Sequence, residues 1–524
     1  FFFVWFAALF TCQEMAGKPL KHQHDRWLQQ LHGDIGSILL LLFLYTLQGI
    51  PMGLAASVPL ILQEKNIGYA EQAVFSLVTW PFSLKLLWAP IVDSLYSPRF
   101  GRRKSWLIPV QLAIGTVMIG VGYCITDLLG EGPSGGGAPA VWTLTYIFGF
   151  LYVLTATQDI AVDGWALTML SPQNVGMAST ANTIGQTVGY LVAYVVFLAF
   201  NSADFCNTWI RSTPLPEGML SLAEFLKGWG LIFIVSTVLV GLLKSERVCP
   251  HQDDELTIGS AYLQMWQLIR LQPVRWFTCI LLTARIAFAA ADAVTTLKLI
   301  EHGVPKETMG GLAMLVAPLT ILGSALFMRH TNGPHPLSLF LRAYPWRLAM
   351  GVFFVVIVWV APRKGEAVRW DFYCLVVAGT CIHQLASTAM FTAQIAFFAQ
   401  IGQINPVIGG TAMTFLNTVA NLGSKWPQTV VLGMVDVFTF HSCQGLPAIN
   451  GTLSLPSCDN GPAAQLQCAE AGGACKVYID GFLVLTVACT VIGIVWLVLL
   501  SKKTRELETL SPREWMLADD RRQH

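Results

Sequence analysis

Apolar runs recur twelve times along the chain, near residues 36–63, 71–94, 106–128, 140–158, 176–200, 228–244, 273–300, 308–329, 347–362, 371–398, 407–435 and 479–501. Each is roughly 20 residues long, enough for a helix to cross the hydrocarbon core of a bilayer. Short polar stretches with prolines, glycines or basic residues separate them. An even number of crossings places both chain ends on one face. Basic residues select that face: Arg99, Arg102, Arg103 and Lys104 follow the second run, Lys244, Arg247, Arg270 and Arg275 flank the sixth and seventh, Arg329, Arg342 and Arg347 flank the eighth and ninth, and Lys502, Lys503 and Arg505 follow the twelfth. Positive charge concentrates on the cytosolic side of a membrane protein, so both termini are expected there. Arg363, Lys364 and Arg369 lie on the other side and are the exception.

Composition agrees with this reading. Of 524 residues, 54% are hydrophobic and 12% charged, against about 25% charged in soluble domains. The mean hydropathy is +0.57. A soluble enzyme with one anchor is excluded, and a net charge of +1 offers no field for nucleic acid. The opening FFFVWFAALF is too short to span, lacks a basic flank and has no methionine. It is expected to reflect a fragment or a gene-model artefact and receives no function.

The two halves of the sequence are related. VPLILQEKNIGY (58–69) aligns on TTLKLIEHGVPK (295–306), matching Leu60 with Leu297, Leu62 with Leu299 and Glu64 with Glu301. The same offset pairs Pro81 with Pro318. ANTIGQTVGY (181–190) aligns on LNTVANLGSK (416–425) at nearly that offset. A parallel repeat of six helices is the architecture of major facilitator transporters. The expected fold is an all-α membrane protein of that type, with twelve transmembrane helices in two six-helix pseudo-repeats. The expected layout is a cytosolic segment 1–35, a first bundle 36–244, a cytosolic linker 245–272, a second bundle 273–501 and a cytosolic tail 502–524. Two such bundles rock about a central site.

Polar side chains inside the spans mark candidates for that site, because they are costly in hydrocarbon unless they face a cavity or a partner. Ser179, Asn182, Gln186 and Tyr190 form one helical stripe, and Thr414, Asn417, Asn421 and Lys425 form its repeat mate. Both serve either interhelical hydrogen bonding or a solute path, and the lysine favours the path. His383, Ser387 and Gln394 share a face in the tenth run; a lone histidine is more often a packing residue than a proton carrier. Arg285 and Asp292 are two turns apart and are not expected to pair. Lys85, Arg285, Lys298 and Lys425 lie within or near the spans, with Lys298 close enough to a helix end to snorkel. A cationic cavity suits an anionic solute, and Arg285 with Lys425 are the candidates for holding phosphates.

Between the last two runs, the loop 437–477 holds Cys443, Cys458, Cys468 and Cys475 and the sequon at Asn450. Two disulfides in any of three pairings are expected, facing an oxidising lumen or exterior. The spacing fits no tight zinc pattern, so no metal and no cofactor are expected. No phosphate-cradling glycine loop is present, which excludes ATP hydrolysis as the energy source. An acyltransferase would need a buried histidine with an acid close by, and His383 has none at i+3 or i+4.

APIVDSLYSPRFGRRKSW (89–106) is similar to the loop signature of major facilitators, with Asp93, Gly101, Arg102, Arg103 and Lys104 at the matching positions. In that family the loop latches the two bundles on the cytosolic side. Ala89 replaces the usual glycine. ATQDIAVDGWALTML (156–170), read as the turn after the fourth helix, resembles an acid-rich turn shared by bacterial muropeptide permeases and the acetyl-coenzyme A transporters of the endoplasmic reticulum membrane. SILLLLFLYTLQGIPMGLA, WPFSLKLLWAPIVD, FGRRKSW, SADFCN, AADAVTTLKLIEHGVPKE and the four-cysteine loop resemble the second group across residues 36–500. The resemblance implies import of acetyl-coenzyme A from cytosol to lumen for luminal acetylation, with exchange for free coenzyme A as a driving mode. Asp159 and Asp163 are then gate or helix-capping acids. They would repel phosphates. Adenine contacts would come from Tyr190, Trp80, Trp165 and Trp426. The alternative solute is another anion, such as a muropeptide-like compound.

Overall fold

The computed structural model describes residues 33–97, 99–131, 137–171, 174, 177–244, 246, 258–331, 335–362, 368–404, 409–444, 458, 468–470 and 474–516. The N-terminal segment to residue 32, the tail beyond 516, Asn450 and most of the linker's first half lie outside them. So do the side chains of Asp93 and Ser179.

Among the described residues, twelve membrane-length segments follow in order: α1 Ile35–Glu64; α2, in pieces from Tyr69–Ser76 to Ala89–Ser94; α3 Lys104–Leu128; α4 Val141–Met169; α5, from Met177–Leu191 to Phe197–Asn201; α6 Leu222–Leu243; α7, from Gln272–Thr283 to Ala289–Glu301; α8 Lys306–Thr331; α9 Leu337–Val360; α10 Trp370–Ile404; α11 Gly409–Met434; α12 Gly481–Thr509. Ten are long and apolar enough to cross a membrane as they stand. The other two depart for physical reasons. Prolines 81 and 90, which have no N–H to give, break α2 into α- and 3₁₀-helical pieces. The middle of α11 carries Asn417, Asn421, Lys425 and Gln428, which lowers its hydropathy. The linker, expected as a polar connector, contains a helix, Ile258–Arg270.

Small residues let the helices approach closely, as is usual where lipid supplies no hydrophobic drive. α1 lies on α5 with Gly49 against Gly189: a Cβ on either would come 2.8 Å from the other's Cα. α3 meets α6 at Gly115 and Gly230, where a Cβ on either would lie 2.7 Å from the other's carbonyl oxygen. In the second half α9 packs on α10 and α12, α8 on α10, and α7 on α11. Between halves, α2 meets α11, α1 meets α7 and α5 meets α8.

We call the face holding the ends of α1 and α7 and the α11–α12 loop distal, and the opposite face proximal. The distal loop contains an antiparallel pair, β1 Phe440–Gln444 and β2 Ala474–Ile479, with Cys443 opposite Cys475. Disulfides join Cys443 to Cys468 and Cys458 to Cys475. The pairing consumes all four thiols, which settles the three alternatives.

Two boundary readings are corrected. α4 continues through Asp159 and Asp163 to Met169, so these acids lie inside a span and not in a turn after it. α9 begins at Leu337, so Arg347, counted above among the proximal flanking charges, is ten residues into a span and only 4% exposed.

Candidate solute-binding site

Polar groups concentrate midway along the spans, in two clusters of opposite sign. Both grow out of irregular backbone. Lys85 opens a 3₁₀ piece within α2, and Arg285 caps one within α7. Broken helices at membrane depth are tolerated where neighbours re-satisfy the freed backbone groups or where the segment lines a cavity.

In the first half, Asp159 is 3% exposed and forms an ion pair with Lys85. Gln48 of α1 donates to it at 2.5 Å and Gln186 of α5 at 3.3 Å. One turn on, Asp163 is exposed and accepts from the Tyr45 hydroxyl at 2.7 Å and the Asn182 amide at 3.1 Å. Lys85 is thus set against two carboxylates, which leaves this cluster with one net negative charge. The partners explain why α4 can keep two acids in the membrane: one is neutralised and hydrogen-bonded, and the other is hydrogen-bonded. The pair, expected as gate or helix-capping acids, lies in this polar network within α4. Two members of the α5 stripe, Asn182 and Gln186, serve it. Tyr190 is half-buried and stacks beside Tyr194, ring centroids 5.2 Å apart.

In the second half, Asp292 of α7 binds the Arg347 guanidinium at 2.8 Å and His383 Nε2 at 2.9 Å, with Gln428 at 3.5 Å. Arg347 also lies over the Phe288 ring, 4.5 Å from its centroid. Arg285 donates to the Gln394 carbonyl oxygen at 3.0 Å and makes no ion pair among the described residues. As expected, Arg285 and Asp292 do not bond each other. Lys425 is half-buried, has no hydrogen-bond or ion-pair partner among the described residues, and lies within electrostatic reach of Asp292 and Arg285. Asn417 and Asn421 are half-buried on its stripe. Three cations, Arg347, Arg285 and Lys425, therefore stand against one carboxylate, a surplus of two positive charges. An anion meeting Arg285 and Lys425 gains charge-assisted hydrogen bonds without displacing an existing ion pair.

Two sets of expected residues lie elsewhere. Lys298, placed above among the solute candidates, is 2% exposed near the distal end of α7, locked to Asp480 at 3.0 Å and Glu301 at 3.2 Å. It belongs to a distal ion-pair cluster. The Gly101–Lys104 loop fastens to its own bundle: the backbone N–H groups of Arg103 and Lys104 bond Glu246 at 3.0 and 3.1 Å, and Lys104 Nζ bonds the carbonyls of Gly241 and Lys244 at the end of α6. Gly101 has φ +93°, a conformation that favours glycine, and its turn presents those N–H groups. Arg102 lies over the Tyr96 ring, and a side chain on Gly164 of α4 would strike the Arg103 guanidinium. Among the described residues, these contacts tie the loop to the end of α6 and the start of the linker.

Sequence reasoning missed Arg347, Asp292 as the partner of His383, and Tyr45 and Gln48 as partners of the acids. Tyr45 and Gln48 are three apart in the apolar α1, a one-face spacing that could have flagged them. The acid for His383 comes from another helix, which no i+3 or i+4 search can find.

Solved structures with this fold include a bacterial homologue of the human lysosomal transporter Spinster, in an inward-facing and unoccupied conformation, at 16% identity over 91% of this chain and 98% of that one, with TM-score 0.58. The nucleoside transporter NupG aligns at 12% identity over 90% and 99%, with TM-score 0.55. These likenesses show the major facilitator fold of a multi-pass membrane protein. The family model described as acetyl-coenzyme A transporter 1 matches residues 37–257, 249–341 and 335–517, and the chain belongs to that family. Similar chains are an uncharacterized membrane protein of Saccharomyces cerevisiae, 31% identical over 92% of this chain and 97% of that one, and the anhydromuropeptide permease of Escherichia coli, 24% identical over 57% and 56%.

Proposed function

We propose that the protein carries acetyl-coenzyme A from the cytosol into the endoplasmic reticulum lumen by alternating access, in exchange for coenzyme A, and so supplies luminal acetylation. The bundles α1–α6 and α7–α12 are the moving bodies. The observation that carries the reading is the cationic surplus of the second half, Arg285 and Lys425, in a chain of the acetyl-coenzyme A transporter 1 family. These two residues hold phosphates, and Asn417 and Asn421 extend the contact. The half-buried Tyr190 offers the adenine a ring face. Orientation rests on charge and redox: the Arg99–Lys104 and Lys502–Arg505 clusters lie proximal, and the disulfides lie distal, as an oxidising compartment requires.

The test is uptake of labelled acetyl-coenzyme A by liposomes containing the purified protein, with and without trapped coenzyme A. Saturable uptake stimulated by trapped coenzyme A supports substrate and exchange together. Uptake without stimulation keeps the substrate and removes the exchange. No uptake by folded protein removes the substrate and favours the second reading, a muropeptide-like anion, which the E. coli permease relative suggests.

A further inference from the structure

The distal ends of α1 and α7 are built alike. Glu64 and Glu301 close these helices and stand 237 positions apart, the offset of the repeat. In both, the residue two further on is left-handed: Asn66 at φ 57° and Gly303 at φ 104°. In both, the same three N–H groups turn back. Lys65 and His302 bond the carbonyls of Ile61 and Lys298, Asn66 and Gly303 those of Gln63 and Ile300, and Ile67 and Val304 those of Leu62 and Leu299. This glycine-type helix stop delivers the residue five beyond each glutamate to the start of the next helix. In the first half that residue is Tyr69, in the second Lys306, again 237 apart.

Each then reaches the other half's glutamate. Tyr69 Oη donates to Glu301 at 2.5 Å, and Lys306 Nζ to Glu64 at 2.6 Å. The two arms exchange partners across the pseudo-twofold axis. Three further bonds cross the same seam. Lys306 bonds Asn201 Oδ1 at 3.2 Å, Ser202 donates to Glu307 at 2.9 Å, and the Ala70 N–H donates to Asp436 at 2.9 Å. Lys298 anchors Glu301 from beneath, and both glutamates and Lys306 line one side of a distal vestibule of about 1000 Å³.

We propose that this reciprocal clasp is the distal gate of the transporter. It shuts the central site from the distal compartment in the conformation described and must part in every cycle. The glutamates are placed by their own helices and each takes a bond from the opposite half, so rocking of the bundles breaks both arms together. The gate rests on the transporter class alone and holds whatever the solute.

The test places a cysteine at Asn421, in a chain whose cysteines outside the disulfides are replaced, and measures its labelling by a membrane-impermeant maleimide applied from the distal face. Tyr69→Phe with Lys306→Met removes both arms and is expected to raise the labelling rate about tenfold, the population shift set by losing charge-assisted hydrogen bonds. Glu64→Lys alone speeds labelling, and Glu64→Lys with Lys306→Glu returns it to the parent rate. Only variants that elute as the parent does on size exclusion are compared, and Tyr69→Phe alone is the mild variant if the pair fails to fold. A labelling rate within twofold of the parent in folded Tyr69→Phe/Lys306→Met or in Tyr69→Phe, or a charge-swapped chain that labels as fast as Glu64→Lys, overturns the proposal.

Discussion

Asp292→Asn is expected to be among the most destabilising single-atom changes available in this protein, and a second substitution should undo it. The Asp292 carboxylate is 13% exposed and the Arg347 side chain 5%. Their oxygen and nitrogen lie 2.8 Å apart, and His383 occupies the other oxygen at 2.9 Å. Breaking a buried ion pair by removing one partner costs about 3–5 kcal/mol, because the remaining charge is stranded. The asparagine carbonyl still accepts one hydrogen bond, which returns about 1 kcal/mol. The net expected loss is therefore about 2–4 kcal/mol. Replacing both charges, Asp292→Asn with Arg347→Met, removes the stranded guanidinium and fills its place beside Phe288 with a flexible apolar chain. Such replacements are often neutral or stabilising, so the double variant should lie within about 1 kcal/mol of the parent. Denaturant unfolding in one detergent, followed by tryptophan fluorescence, gives the comparison. If the double variant is no more stable than Asp292→Asn, the stranded charge is not the cause and the reasoning fails.

Neutralising the proposed phosphate contacts acts on transport instead of stability: Arg285→Gln and Lys425→Met should each raise the KM for acetyl-coenzyme A about 10- to 100-fold, as expected for one charge-assisted bond, while a fluorescence thermal ramp shows the folded transition retained. Lys85→Met leaves Asp159 buried without a cation and should lower the yield of monodisperse protein, and Lys85→Met with Asp159→Asn should restore it. Cys443→Ser opens a link between residues 25 apart and should destabilise the distal loop by about 3 kcal/mol, read as faster proteolysis of that loop; without a reductant, the parent's four loop cysteines should resist alkylation after denaturation.

Local pattern carried much of this architecture. Twelve apolar runs and a constant offset between halves translate directly into helices and a repeat, because bilayer thickness sets helix length and duplicated sequence keeps duplicated caps. The Asn66 and Gly303 stops repeat to the hydrogen bond, although only Leu62 with Leu299 and Glu64 with Glu301 match by identity around them. The polar centre was less legible. Arg285, Lys425 and His383 stood out as isolated polar residues in apolar runs. Asp159 looked like the end of a helix because two acids within five residues read as a polar turn, and the partners that satisfy them, Lys85 74 positions away among them, come from other helices. Arg347 looked like a flanking charge for the same reason. A charge tallied by its distance from a run's edge is misplaced whenever a partner on another helix lets the run continue past it.

The two halves share a fold but not a charge, and this difference bears on how the protein can work. If both held the same cations, an anion would be attracted equally to either and could bridge them at any stage. Instead the second half has unpaired cationic capacity at Arg285 and Lys425, while the first has Lys85 committed to Asp159 and an exposed carboxylate at Asp163. Under the proposed function a phosphate group is held by the second half and repelled by the acids of the first, which leaves the first half to hold the uncharged parts of the solute through its amides and rings. A solute with charge at one end and an aromatic or acyl group at the other spans the halves in one orientation only. Grafting a second cation into the first half, as in Asp163→Lys, should then strengthen binding of inorganic pyrophosphate as a competitor and weaken discrimination between it and acetyl-coenzyme A. Competition assays that show no change in this ratio would mean that the charge difference between the halves does not orient the solute.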